Sequence, residues 1–320
     1  MQRTRRRNSD SEDPQSGNPD VDLTKFAVTR RYTIANDICS CPTPGSTTRR
    51  HTMIIAQITD FHIALPGERM DRMFRTATFL ETAVEHITSL EPLPDVVLAT
   101  GDLVDRGIPE EYERLREILA PIGVPIYVIP GNHDDRDTMS GAFADWEYLP
   151  GNGRFQHYVI DRWPVRLIAL DTVIPGKISG ELCEERLRWL SDRLAEEPDK
   201  PTLIFMHHPP IRSGINAMDR HGFDAGAPEM GAIVERYSNI ERIVCGHLHR
   251  PVTARWHGTV LSVAPSTAHQ MGLNMLEGAK QQIVMEPPAC QLHLWQPDTG
   301  IVSHTSYTGR YEIPLSIELP

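Results

Sequence analysis

At 320 residues the chain is long enough for one large or two ordinary α/β domains, and its 40% hydrophobic content suffices for a core. A net charge of −11 argues against a nucleic-acid polymer as partner, because tracking along DNA or RNA needs clustered Lys and Arg; a small anionic substrate remains open if metal ions supply positive charge. No run approaches the roughly 20 apolar residues needed to cross a bilayer, so no membrane role is expected.

Residues 1–52 carry Arg3, Arg5, Arg6 and Arg7, then Asp, Ser, Asn and Pro in no periodic order, and read as a disordered extension. An export signal needs an apolar segment of about 7–15 residues, and none follows these arginines or Arg30-Arg31. The folded domain is expected over 53–310, with Met53 as the true start and a short tail over 311–320. Five scattered cysteines, Cys39, Cys41, Cys183, Cys245 and Cys290, are not a small disulfide scaffold; reduced thiols in a cytoplasmic protein are expected. Cys39-Ser40-Cys41 lacks the second pair a zinc site would require.

Met53-Ile54-Ile55-Ala56-Gln57-Ile58 is a short apolar run of the buried-strand type, with Thr59-Asp60-Phe61-His62 at its end. Met73, Phe74, Ala77, Leu80, Val84 and Ile87 recur at helical spacing, which predicts one crossover helix from about 71 to 89, ended by Pro92 and Pro94. The strand that follows runs from Val96 through Thr100 and Gly101 to Asp102. A helix is expected from Pro109 to Leu119, with proline in its first turn and Glu110, Glu111 and Glu113 near its positive end. The third strand spans 126–129 and leads into Pro130-Gly131-Asn132-His133-Asp134. Strand, helix, strand, helix, strand in that order means a parallel sheet with right-handed crossovers.

Two strands at 156–160 and 165–170, a helix at 183–194 and a strand at 202–206 lead to His207-His208-Pro209-Pro210. After a Gly- and Asp-rich loop at 213–228 and a helix near 230–237, the strand 240–245 delivers Gly246-His247-Leu248-His249. Beyond Arg250 the short strands at 252–256, 260–263, 291–296 and 301–307 predict a second, mostly antiparallel sheet packed against the first. Residues 271–288 follow no regular pattern and are assigned to a lid or an oligomer contact.

Five predicted strand ends thus carry residues of metal-ligand type. Two divalent ions a few ångströms apart need mixed oxygen and imidazole ligands, one shared carboxylate and an open position for water. Asp60, His62, Asp102, Asn132, His207, His247 and His249 supply that set, with Asp102 as the shared carboxylate. In Asp60-Phe61-His62 and His247-Leu248-His249 an extended backbone would place alternate side chains on one side. One such pair alone carries little weight; five in order gain it because sheet topology gathers strand ends at one edge.

The elements Asp60-Phe61-His62, Gly101-Asp102, Gly131-Asn132-His133-Asp134, His207 and Gly246-His247-Leu248-His249 follow the pattern D-x-H, G-D, G-N-H-[DE], H, G-H-x-H. Over residues 53–250 the chain therefore resembles the calcineurin-like metallophosphoesterases. Within that family it is most similar to the class III cyclic-nucleotide phosphodiesterases and bacterial glycerophosphodiesterases, through Pro109-Glu110-Glu111-Tyr112, the stretch from Ile129 to Asp135, and Phe205-Met206-His207-His208-Pro209-Pro210. The resemblance implies a four-layer α/β/β/α sandwich and two metal ions, iron with manganese, zinc or cobalt. It gives one ion Asp60, His62, Asp102 and His249, and the other Asp102, Asn132, His207 and His247. His133 is expected to bind no metal and to protonate the leaving oxygen, a contribution of about 10²–10⁴-fold. The implied reaction is hydrolysis of a small phosphodiester, a 3′,5′-cyclic nucleotide or a glycerophosphodiester, by in-line attack of a metal-activated hydroxide. Homo-oligomers are expected through residues 252–307, as relatives often form them there.

Gly101-Asp102-Leu103-Val104-Asp105-Arg106-Gly107 also resembles the G-D-x-V-D-R-G element of protein Ser/Thr phosphatases, which makes Arg106 a candidate phosphate contact and a phosphomonoesterase or protein phosphatase the rival enzyme. Against it, Ile129-Pro130 replaces their Leu-Arg and Asp134 their Glu. His208 and His269 are further candidates for the substrate pocket, whereas Trp163, Trp189 and Trp256 read as packing residues. No G-x-S-x-G elbow and no phosphate-binding G-x-x-x-x-G-K-[ST] loop is present. A non-catalytic binding module on the same fold would be expected to have lost ligands, and all seven positions are filled.

Overall fold

The computed structural model describes residues 52–309 except Asn152; the rest of the expected N-terminal extension, with Cys39 and Cys41, and the expected tail over 311–320 lie outside the described residues. The first part of the chain runs β1 (Met53–Ile58), α1 (Arg69–Phe74), α2 (Thr76–Thr88), β2 (Val96–Thr100), α3 (Pro109–Leu119), β3 (Ile126–Ile129) and α4 (Arg136–Ala142). There follow β4 (Tyr158–Ile160), β5 (Arg166–Leu170), β6 (Gly180–Glu181), α5 (Glu184–Glu196), β7 (Thr202–Met206), α6 (Asn216–Asp219), β8 (Phe223–Ala225), α7 (Ala227–Val234) and β9 (Ile240–Cys245). The last part is all strand: β10 (Val252–Trp256), β11 (Thr259–Val263), β12 (Gln270–Met271), β13 (Ile283–Val284), β14 (Ala289–Gln296) and β15 (Gly300–Tyr307).

Two large sheets result, in the orders β15-β14-β1-β2-β3 and β10-β11-β9-β7-β5-β4. The parallel run β1, β2, β3 matches the sequence reading. The separate antiparallel sheet expected from the late strands does not form. Instead β10 and β11 complete the second sheet beside β9, and β14 and β15 extend the first, β14 lying antiparallel to β1. Strands β5, β7 and β9, which the sequence reading placed in no particular sheet, form the parallel centre of the second. An apolar run buried on both faces, as in β7, says that a strand is central but not to which sheet it belongs.

Alternation along the strands sets the layers. Ala56, Ile58, Val97 and Ala99 pack with Ala77, Leu80, Val84 and Leu115 of α2 and α3. Their neighbours Ile55, Val96 and Leu98 join the core made with Leu167, Phe205 and Val244 of the second sheet, to which α5 and α7 add Leu190, Leu194, Met230 and Val234. This is the α/β/β/α sandwich, and each fully buried Leu or Ile in it is worth about 1.5–3 kcal/mol. Trp163, Trp189 and Trp256 pack partly buried against that second core, as expected.

Three local expectations change. The single helix from 71 to 89 is broken at Arg75, whose left-handed backbone (φ 50°) separates α1 from α2. Helix α7 starts at Ala227, three residues before the expected position, because Pro228 occupies its first turn. The undeciphered stretch 271–288 contains a small hairpin of β12 and β13, tied to α6 by Asn216 Nδ2 donating to the Met275 carbonyl at 2.8 Å.

Candidate metal centre

All seven expected ligands follow the carboxyl ends of β1, β2, β3, β7 and β9, and the two sheets bring them together at one edge. The way they converge differs from the expectation. Asp60, His62, Asp102, His247 and His249 are not extended but left-handed, with φ of 56, 47, 49, 71 and 46°. Among the described non-glycine residues only Arg75 and His257 share that conformation. Each such residue costs roughly 1–3 kcal/mol and persists only where its surroundings over-determine it, as at functional sites. The glycines that precede Asn132 and His247 have a steric reason. A Cβ on Gly131 would collide with the backbone nitrogen and carboxylate of Asp102, and one on Gly246 with Thr59 and Asp60.

The donor atoms fall into two groups that share one oxygen. In the first, His62 Nε2 stands 3.1 Å from His249 Nε2, His249 Nε2 stands 3.2 Å from Asp60 Oδ1, and His62 Nε2 stands 3.6 Å from Asp102 Oδ2. In the second, that same Asp102 Oδ2 is 3.5 Å from His207 Nε2, while Asn132 Oδ1 is 3.3 Å from His207 Nε2 and 3.1 Å from His247 Nδ1.

Ring orientation is set by the main chain. A carbonyl only accepts, so the ring nitrogen facing it carries the proton and the other nitrogen offers its lone pair. His249 Nδ1 donates to the His269 carbonyl at 2.9 Å and His207 Nδ1 to the Thr100 carbonyl at 2.8 Å. His247 is turned the other way, its Nε2 donating to the His221 carbonyl at 2.9 Å, which leaves Nδ1 for the site.

These groups fit cations. Two ring nitrogens 3.1 Å apart need a proton or a cation between them. Donors of one ion, each about 2.1 Å from it, stand roughly 3.0–3.4 Å apart, close to the separations found here. The charge balance agrees, because Asp60 and Asp102 are fully buried and among the described residues neither is ion-paired to Lys or Arg. Although burial alone would raise both carboxyls, His249 holds Asp60 below the usual carboxylate range and His207 holds Asp102 well below it. Conversely, burial would lower His207, but Asp102 outweighs it and raises the ring to about 9. Burial brings His247 down to about 4.

The remaining candidates are placed as follows. His133 is half-exposed beside the first group, its ring 4.6 Å from that of His62, and its Nδ1 donates to the Asp105 carbonyl at 2.7 Å. Burial would lower it, but Asp102 and the Asp105 carbonyl and carboxylate prevail and raise it. His269 is buried between Phe74, stacked on it at 4.6 Å, and His249 at 4.7 Å; burial brings it down to about 3. His208 is fully buried and both its nitrogens are engaged, Nδ1 with Thr172 Oγ1 at 2.7 Å and Nε2 with the Ile178 carbonyl at 3.0 Å. Arg106 is held between Glu68 at 2.7 Å and the buried Glu111 at 3.1 Å, so a phosphate would have to displace a carboxylate to reach it.

Sequence reasoning missed the three carbonyls, which no side-chain pattern reports, and gave Asp134 a place in the pattern but no role; burial and the Asp102 charge raise its carboxyl to about 7 against the pull of its hydrogen-bond donors. The family model of calcineurin-like phosphoesterases matches residues 53–251. The chain belongs to that family. A protein of Arcobacter nitrofigilis named "probable glycerophosphodiester phosphodiesterase GpdQ" is 38% identical over 82% of this chain and 96% of its own length. The 3′,5′-cyclic adenosine monophosphate phosphodiesterase CpdA of Escherichia coli K12 is 30% identical over 68% of this chain and 76% of its own length. Among solved structures, a dimetal phosphatase from Danio rerio shares the fold, with a TM-score of 0.52 at 14% identity over 80% of this chain and 99% of that one. Family membership and the two donor groups together support a centre of two metal ions.

Proposed function

We propose that this chain is a two-metal phosphodiesterase for small phosphodiesters, with glycerophosphodiesters ahead of 3′,5′-cyclic nucleotides. The observation that carries the reading is the single oxygen Asp102 Oδ2, 3.6 Å from His62 Nε2 and 3.5 Å from His207 Nε2. The order of substrates rests on the relative named for glycerophosphodiesters being similar over more of both chains than the one named for cyclic AMP.

Asp60, His62, Asp102 and His249 would hold one ion and Asp102, Asn132, His207 and His247 the other; the mixed oxygen and imidazole set suits iron with manganese, zinc or cobalt. When bound, such a pair neutralises phosphoryl oxygens and makes water acidic enough to attack phosphorus at neutral pH. His133 completes the chemistry. With Nδ1 fixed on the Asp105 carbonyl, Nε2 is the atom that gives a proton to the departing alkoxide. His269 and His208 would shape the wall of the pocket, the latter by packing at 4.7 Å against His247.

The test is a hydrolysis panel of glycerophosphodiesters, cyclic nucleotides and phosphomonoesters with metal content measured on the same sample. Turnover of monoesters alone would favour the phosphatase rival, and no turnover of any would favour the binding module. A cytoplasmic setting belongs to the same reading, with Cys183, Cys245 and Cys290 as reduced thiols. Among the described residues no helix is long and apolar enough to cross a membrane. Exposed Leu273, Met275, Leu276 and Ile283 around the β12–β13 hairpin support its reading as an oligomer contact or lid, to be checked by sizing in solution.

A further inference from the structure

We propose that Asp134 is a positioning residue that sets the distance between Asp102 and Asn132, and so the fit of the second ion. The proposal rests on the two-metal reading above. Asp134 Oδ2 accepts the backbone N–H of Gly131 at 2.8 Å and that of Leu103 at 3.1 Å. Gly131 immediately precedes Asn132 and Leu103 immediately follows Asp102, so one oxygen ties the residue beside each ligand to the same point. The other oxygen, Oδ1, accepts Tyr112 Oη–H at 2.9 Å and the Val104 N–H at 3.4 Å. Tyr112 is fully buried on α3 and also accepts the Asp135 N–H at 3.3 Å, which fastens the assembly to a helix.

The linkage is reciprocal. Asp102 Oδ1 accepts the His133 N–H at 2.8 Å, so the acid on the β2 loop grips the β3 loop while the acid on the β3 loop grips the β2 loop. Asp102 needs such support because its backbone is left-handed (φ 49°), a conformation that relaxes unless it is held. Gly131, Leu103 and Asp134 are all buried, and among the described residues Asp134 is the common acceptor that joins the Gly131 and Leu103 N–H groups.

Binding of Mn²⁺ is measured on the full chain by titration and by metal analysis after dialysis, with thermal melts of the metal-free proteins alongside. Asp134→Ala is expected to weaken the second ion, which depends on both tied residues, by about 10–100-fold, and the first, which keeps Asp60, His62 and His249 beside the shared Asp102, by clearly less. Asp134→Glu restores a carboxylate and is expected to recover most of that affinity. A purely structural role would lower the metal-free melt and weaken both ions together. Two ions bound with unchanged affinity in Asp134→Ala overturn the proposal. Should that variant fail to fold, Tyr112→Phe decides, since it removes one of the four donors: a selective weakening of the second ion supports the proposal and unchanged binding overturns it. Wild-type protein that binds no Mn²⁺ would defeat the two-metal reading itself, and this proposal with it.

Discussion

The backbone N–H of His247 points at both carboxylate oxygens of Asp60, 3.1 Å from each, and joins the end of β1 in one sheet to the end of β9 in the other. The centre therefore straddles the seam of the sandwich. Asp60→Asn removes a charge from the first donor group and turns an amide group towards that N–H. The expected outcome is a fall in kcat/KM of at least about 100-fold, equivalent to roughly 2.7 kcal/mol, with loss of the first ion in metal analysis. Full turnover with two ions retained would contradict the assignment.

His133→Ala should show leaving-group dependence. A proton donor matters for an alkoxide and hardly at all for a nitrophenolate, which leaves unaided. A fall of about 10²–10⁴-fold is expected for alkyl diesters and a much smaller one for an activated aryl diester, in parallel assays. Equal losses on both substrates would assign His133 to binding instead.

Much of this site was legible because its side chains sit at strand ends, where an apolar run stops and a ligand type begins, three of them marked by a glycine as in Leu98-Ala99-Thr100-Gly101-Asp102. The sheet assignment was not legible. The resemblance implied two sheets, but the apolar runs of β5, β7 and β9 do not say which sheet each joins, and it is the packing of Ile55 and Leu98 against Phe205 and Val244 that sets the two face to face. Asp-x-His spacing pointed to a pair that the structure does bring together, but by another route, since extended backbone was expected and left-handed residues do the converging. The break at Arg75 was hidden because the apolar spacing of Met73, Phe74, Ala77 and Leu80 continues across it.

Gly131→Ala should disable the centre, because the added methyl group collides with the main chain and carboxylate of Asp102. Loss of bound metal and a lower melting temperature are expected. Gly141→Ala is the control: this glycine lies in α4 with open space where its Cβ would be, and the change should stabilise by about 0.4–1 kcal/mol. Equal behaviour of the two variants in metal analysis and thermal melts would refute the steric account.

Stability should fall with acid through His293. Burial lowers this ring from the usual 6.5 to about 3; its Nε2 meets Gln57 Oε1 at 3.1 Å and its Nδ1 meets Ser303 Oγ at 2.6 Å. The unfolded chain takes up the proton near 6.5 and the folded one only near 3, so the contribution is complete above pH 6.5 and is lost as pH falls towards 3. About 2 kcal/mol should be gone by pH 5. In denaturant titrations from pH 7 to 4, His293→Gln should flatten that limb, and an unaltered slope would assign the acid sensitivity elsewhere.

Removing metal should cost stability as well as turnover, because Asp60 and Asp102 then share a buried pocket with only histidines to balance them. An ion present at about 100 times its Kd contributes roughly 2.7 kcal/mol, which for a domain of this size means about 5–10 °C in Tm. Chelation followed by calorimetry checks this, and re-addition of Mn²⁺ should restore both readings.

Three imidazoles here are aimed by peptide oxygens of Thr100, His221 and His269 instead of by other side chains. Evolution can consequently exchange the side chain at Thr100 or His221 and leave His207 and His247 pointing where they do. Drift in amino-acid identity around the centre then reshapes the neighbourhood a substrate meets while the aim of the rings is inherited unchanged, which is one route by which a single scaffold diversifies.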